Sequence, residues 1–322
     1  MKTYSFPVAL AGLFVLPVSV VAAQNFPTRP VRMIVPLAVG GPVDTVGRIV
    51  ALQLSEQMKH QVVVDNRPGA GGSVGGEILA RAAPDGHTIL MAANGTIAIA
   101  PHLITKLPFD AMKDFAPITL VGTSPQAMLL HLAVPAKTVK EFIDLARSKP
   151  GSVNFASSGA GSTSHLASEL LMMMAKISMV HVPYKGAGPA LTDLMGGQTQ
   201  MMITGISSAL PFITGGKLRA IGVTSTKRVS VLPEAPPISE TVPGYEVTTW
   251  YALYTTAKTP APIIAALNRE SVKAVNTPEI KARLTAAGVE AETSTPEQLA
   301  KMGREEVAKW GKLISAIGLK AQ

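Results

Sequence analysis

The sequence predicts an α/β protein of two lobes joined by a hinge of extended strands. Two observations carry that expectation. Short Val- and Ile-rich runs alternate with helical patterns along the chain, the signature of βαβ units and largely parallel sheets. Two extended segments, from Phe115 to Val134 and "VTTWYALYTTA" from Val247 to Ala257, are suited to cross from one lobe to the other. Lobes sharing two such connections form a cleft that closes around a small ligand.

The N-terminus, "MKTYSFPVALAGLFVLPVSVVAA", has an early Lys2, an apolar run from about Phe6 to Val21 and a small-residue end. This is the layout of a secretory signal peptide cleaved after about Ala23, and Pro7 and Pro17 argue against a retained membrane helix. Removing 23 of the 322 residues leaves 299, enough for two domains. We expect lobe 1 to comprise residues 24–124 plus about 225–322, and lobe 2 residues 125–224. An exported chain of a double-membraned bacterium is periplasmic.

There is no cysteine, so stability rests on buried apolar area, which 47% hydrophobic residues can supply. The net charge of +8 is scattered rather than striped. With export it excludes nucleic acid as a partner and favours an anionic ligand only weakly.

Taken in order, "VRMIVP" reads as a strand and "DTVGRIVALQLSE" as a helix with Val46, Ile49, Val50 and Leu54 on one face. "QVVVDN" is a strand, about Ser73 to Ala83 a helix, and "HTILMAA" a strand. The Phe115–Val134 segment gives two apolar runs joined by Gly122 to Pro125. A second series follows: helix "TVKEFIDLARSKP", strand "VNFASS", helix Ser162 to Lys176, strand "MVHVPY", helix "GPALTDLMGG", and strands "QMMITGI" and "GKLRAIGVTS". Met172 to Met174 read as core filler. The proline-rich "VLPEAPPISETVPGYE" is a surface connection, and helices occupy about Pro260 to Gln322.

The loop "NRPGAGG" raises the question of a nucleotide site. A dinucleotide fingerprint needs G-x-G-x-x-G with an acidic residue about 20 positions on. Gly69 and Gly71 fit, but Val74 stands where the third glycine belongs and no phosphate-loop lysine motif occurs. The loop therefore reads as scaffold. No cofactor is implied, and neither the histidines nor the carboxylates show metal-ligand spacing.

Six segments in this order, "RPVRMIVPLAVGGPVDTVGRIVA", "VVVDNRPGAGGSVGGEILARAAPDGHTIL", "FASSGAGSTSHLASELL", "HVPYKGAGPALTDLMGGQ", "GGKLRAIGVTS" and "PGYEVTTWYALY", resemble the Bug (TctC-like) extracytoplasmic solute receptors. The resemblance spans nearly all of the chain after Ala23. It implies a two-lobed type II periplasmic-binding-protein fold that captures a small organic acid, commonly a carboxylate, for the permease subunits of a tripartite tricarboxylate transporter. It also implies that "VPLAVGGPVD" lies in the cleft. Two departures bear on the ligand: Leu37-Ala38-Val39 replaces a Phe-Pro-Pro-like run, and "MMITGISSALP" lacks the family's frequent phenylalanine.

The candidate ligand contacts follow from loops at the carboxyl ends of strands, where helix N-termini point amides at an anion. In the first loop these are Val39, Gly40, Gly41 and Asp44, the last also able to cap its helix. Gly72 and Ser73 belong to the glycine loop, and Asn94 and Thr96 follow the third strand. In "SSGAGSTSH" they are Ser158, Gly159, Thr163 and His165, with plain N-capping by Ser162 or Thr163 as the alternative. Thr204 and Ser207 complete the set. Lys185 and Trp250 are weaker candidates, for surface or hinge-packing roles as much as for the ligand.

Two other functions compete with this reading. The receptor could dock on a sensor protein and report the acid. An exported hydrolase would need a nucleophile elbow, and neither Ser157 nor Ser158 satisfies G-x-S-x-G. The chain is expected not to be an enzyme.

Overall fold

The computed structural model describes residues 26–37, 39–184 and 186–319. The expected signal peptide, Ala38 and Lys185 lie outside the described residues. No helix among them is long and apolar enough to cross a membrane.

The first half begins with β1 (Val31–Val35), α1 (Pro42–Met58), β2 (Val62–Asn66), α2 (Ser73–Ala80) and β3 (Thr88–Ala93). β1 pairs in parallel with both β2 and β3. This follows from the apolar content of β1: Val31, Met33, Ile34 and Val35 are fully buried, as a strand covered on both faces must be. Val46, Val50 and Leu54 of α1 pack against them, the 3.6-residue stripe expected from the sequence.

β4 (Phe115–His131) is a single 17-residue strand rather than two runs. From Phe115 to Pro125 it pairs antiparallel with β9 (Thr248–Thr256), and from Gln126 onward with β7 (Met201–Gly205) and β8 (Leu218–Val223). Pro125, which has no N–H to donate, sits where the strand changes partner. Gly122 is required there: a Cβ would lie 2.6 Å from the Glu290 carbonyl oxygen of the adjacent strand.

The second half contains α3 (Val139–Ser148), β5 (Asn154–Ser157), α4 (Thr163–Ala175), β6 (Val180–Pro183), α5 (Ala187–Met195), β7 (Met201–Gly205), α6 (Ile206–Thr214) and β8 (Leu218–Val223). β9 (Thr248–Thr256) returns to pair with β3 and β4. The strand order is β2-β1-β3-β9-β4-β7-β5-β6, so β4 joins a sheet in one lobe to a sheet in the other. The chain closes with α7 (Ala261–Val275), α8 (Pro278–Ala286), β10 (Glu290–Ala291) and α9 (Pro296–Ala316). α9 starts in a Thr295/Gln298 capping box and packs on β4 with Trp310 buried.

The irregular stretch before β9 packs on the second-lobe strands. Val229, Leu232 and Ala235 share a core with Ala127, Leu129 and Met202, and the Tyr245 hydroxyl donates to the Ala167 carbonyl at 3.0 Å.

Three expectations differ in detail. Local sequence favours no helix at Ile206–Thr214, since "ISSALP" carries loop residues and Pro211, yet the structure forms α6, which buries Ile206 and Ala209. Met172 and Met174 are half-buried as core filler, but Met173 is 47% exposed because it falls on the outer face of α4. Asp44 does not cap α1: the N-cap is Gly41, and Asp44 lies in the first turn.

Candidate functional site

A cavity of 860 Å³ opens between the lobes at the carboxyl ends of β1, β3, β5 and β7. Among the described residues none of its lining side chains is Asp, Glu, Lys, Arg or His. Its polar character comes from hydroxyls, two carboxamides and backbone amides.

Three helix N-termini converge on it. Pro42 and Val43 of α1, Ser162 to Ser164 at the start of α4, and Gly205, Ser207 and Ser208 at the start of α6 all line the wall. The first turn of any helix leaves N–H groups without an intrahelical acceptor. α1 and α6 have glycine N-caps with no side-chain cap. In α4 the Ser162 hydroxyl accepts the His165 N–H, which leaves those of Thr163 and Ser164. Uncapped N–H groups and three favourable dipoles suit an anion without any cation.

The loop from Ser157 to His165 is held by its own short side chains. The Ser158 N–H donates to Ser164 Oγ at 2.8 Å, and the Ser162 hydroxyl donates to the Gly159 carbonyl at 2.6 Å. Gly159 adopts φ +137°, which requires glycine. Behind it, His165 and His181 stack with centroids 3.9 Å apart, and His181 Nε2 lies 2.6 Å from Ser157 Oγ. Burial, then the neighbouring His165, pushes His181 down to about 4. Ser157 is fully buried and does not line the cavity.

The remaining wall is apolar, formed by Leu37, Ile99, Leu103, Ile104 and Leu319. The floor comes from the two crossing strands: Ser124 and Gln126 of β4, Thr249 and Tyr251 of β9. Burial raises the Tyr251 phenol to about 12, so it stays a donor.

Of the sequence candidates, Asn94, Thr96, Ser158, Gly159, Thr163, Thr204 and Ser207 line this cavity together. Val39, Gly40, Gly41, Asp44, Gly72, Ser73 and His165 do not. Val39 is 69% exposed, and its loop reaches the cavity through Leu37, Pro42 and Val43 instead. Asp44 turns inward from α1, accepting hydrogen bonds from Gly40 N–H, Arg48 and Asn66. Burial opposes its charge, yet those three partners together hold its carboxyl below the usual range. Gly72 is a packing glycine: a Cβ would meet Thr96 Oγ1 at 2.5 Å. Trp250 is buried in the core, while its neighbour Tyr251 faces the cavity. Sequence reasoning missed the floor: alternation along each crossing strand shows polar positions, but only the pairing of the two strands brings them together under the cavity.

The fold and this interlobe cavity define a two-lobed periplasmic solute-receptor architecture. Residues 46–319 match the tripartite tricarboxylate transporter family receptor model. A UPF0065 protein of Pseudomonas sp. strain P51 is 38% identical over 298 residues, covering 92% of this chain and 88% of that relative. Rpa4515 of R. palustris, solved with adipate, superimposes with TM-score 0.79 at 30% identity, covering 92% of this chain and all of that one. MatC of Rhodopseudomonas palustris, solved with bound malate, gives TM-score 0.74 at 34% identity, with 90% and 100% covered. The chain therefore belongs to the tripartite tricarboxylate transporter receptor family, the Bug (TctC-like) receptors.

Proposed function

We propose that this protein is a periplasmic receptor that binds a small organic acid between its lobes and delivers it to the permease subunits of a tripartite transporter. The observation that carries the reading is the convergence of three helix N-termini on one cavity without a charged side chain among the described lining. The carboxylate sits at these N-termini, supported by Ser158, Gly159 and Thr163 from one lobe and Asn94 and Thr96 from the other, with Thr204 and Ser207 beside it. Contacts from both lobes at once stabilise the closed form, and the ligand shifts the hinge by its differential affinity for that form. Waters bridge the space left by short side chains. The lobes correspond to residues 26–124 with the return from β9 onward, and to 125 to about 247, since the stretch before β9 packs on the second-lobe strands. Relatives solved with adipate and malate support an acid of this size.

Thermal unfolding of the purified mature protein against aliphatic, aromatic and amino-substituted carboxylates, with nucleotides and esters as controls, tests the reading. A ligand at a hundredfold excess over its dissociation constant adds about 2.7 kcal/mol, a visible shift. A shift with an acid supports the receptor; silence towards every acid, with a nucleotide shift or ester turnover, sinks it.

A further inference from the structure

Gln126 stands at the point where β4 leaves β9 and begins to pair with β7, so its backbone is part of the hinge. Its side chain lines the cavity floor and is 4% exposed. Its backbone N–H is satisfied by Thr224 Oγ1 at 2.8 Å, but the side-chain Oε1 is buried with no hydrogen-bond partner. That buried, unpaired carbonyl oxygen carries the desolvation penalty of a polar group without the compensating bond. Around it, Ser124 on the same face of β4 and Thr249 and Tyr251 on β9 complete a floor of neutral donors and acceptors.

We infer that Gln126 is a specificity-determining contact: its carboxamide hydrogen-bonds a second polar group of the ligand, at the end remote from the carboxylate held by the helix N-termini. The inference rests on the acid-receptor reading and deepens it. Oε1 only accepts, so its direct partner is a ligand hydroxyl, while Nε2 of the same carboxamide donates to a keto oxygen or a second carboxylate. An acid ending in a bare methyl leaves the amide desolvated and unpaired, which is the strongest form of discrimination a polar pocket has. The receptor thus selects acids that are polar at both ends over alkanoates and unsubstituted aromatic acids.

Calorimetric titration of the wild type, Gln126→Leu and Gln126→Glu tests this with adipate, 6-hydroxyhexanoate and hexanoate, which differ only at one end, and with 4-hydroxybenzoate against benzoate. The wild type should bind a doubly polar acid about tenfold or more tightly than its singly polar analogue. Gln126→Leu should erase that preference, weakening the doubly polar acid and tightening the singly polar analogue, and melt no lower than the wild type when unliganded. Gln126→Glu should reject adipate yet retain a hydroxy acid, because carboxylate then meets carboxylate. A wild-type preference that survives in Gln126→Leu overturns the inference while leaving the receptor intact. So does an equal loss of all acids with a lowered melting temperature, the mark of a structural role. Binding of none of the five acids by the wild type overturns the inference, and silence across the wider acid panel overturns the receptor reading as well.

Discussion

His165 accepts the backbone N–H of Gly161 at Nδ1, 3.0 Å away, and its Nε2 lies 3.2 Å from Glu169. The Gly161 donor makes Nδ1 the acceptor, so Nε2 carries the proton and donates to the carboxylate. A residue outside the cavity thereby holds the shape of a loop that lines it. Replacing His165 by Phe keeps an aromatic ring for the stack but strands the Gly161 N–H and the Glu169 carboxylate. The expected cost is about 2 kcal/mol of stability, read by denaturant unfolding, together with weaker acid binding read by calorimetry. Unchanged binding would remove His165 from the account of the loop.

The stacked partner gives the protein an acid-sensitive limb. His181 is depressed to about 4, first by burial and then by His165. The unfolded chain takes up a proton near pH 6.5 while the folded one does not. Stability is therefore complete above about 6.5, falls as the pH drops towards about 4, and is level below that. With the partial exposure of the ring, the loss is on the order of 1–2 kcal/mol. Melting temperatures of wild type and His181→Phe across this range check it: the variant's profile should be flatter.

Asp44 fastens the first loop from the protein side. Its partners Gly40, Arg48 and Asn66 tie the loop, α1 and the end of β2 together. Asp44→Ala is expected to cost about 1–3 kcal/mol. Because the folded carboxyl is lowered, its contribution is present above the ordinary value of 3.8 and is lost as pH falls through the folded pKa. Acid unfolding of Asp44→Asn should show less of that dependence than the wild type.

Gly161 and Leu103 both line the cavity. Gly161 has φ +74°, and a Cβ there would lie 2.6 Å from Leu103 Cδ1. Gly161→Ala should weaken acid binding severalfold, chiefly through left-handed backbone strain of roughly 1 kcal/mol, with a smaller steric part because Leu103 Cδ1 ends a side chain that can turn aside. The double variant with Leu103→Ala should recover the steric part. A double variant as weak as the single one would assign the whole effect to the backbone.

Much of this architecture is legible in residue order. Val31–Val35, Thr88–Ala93 and the Val46/Val50/Leu54 stripe announce strands and a helix through apolar periodicity alone, and "SSGAGSTSH" signals a loop opening a helix. Glycines are less informative about direction. Gly40 and Gly41 mark a turn, but periodicity does not say that Val39 faces solvent while Leu37 and Val43 face the cavity. α6 hid because Ser, Gly and Pro residues favour loops locally, and tertiary burial of Ile206 and Ala209 outweighs that preference. The floor of Ser124, Gln126, Thr249 and Tyr251 depends on where two distant strands pair, which single-segment patterns do not encode.

The central claim is that the interlobe cavity is the acid site. The most direct measurement is a calorimetric titration of wild type and Ser207→Trp with an acid that shifts wild-type unfolding. Ser207 lines the cavity on the first turn of α6, so an indole there would occupy the ligand's space. The account predicts one acid per wild-type chain and no binding by a Ser207→Trp variant that still unfolds cooperatively. Equal binding by both proteins would place the acid elsewhere and contradict it.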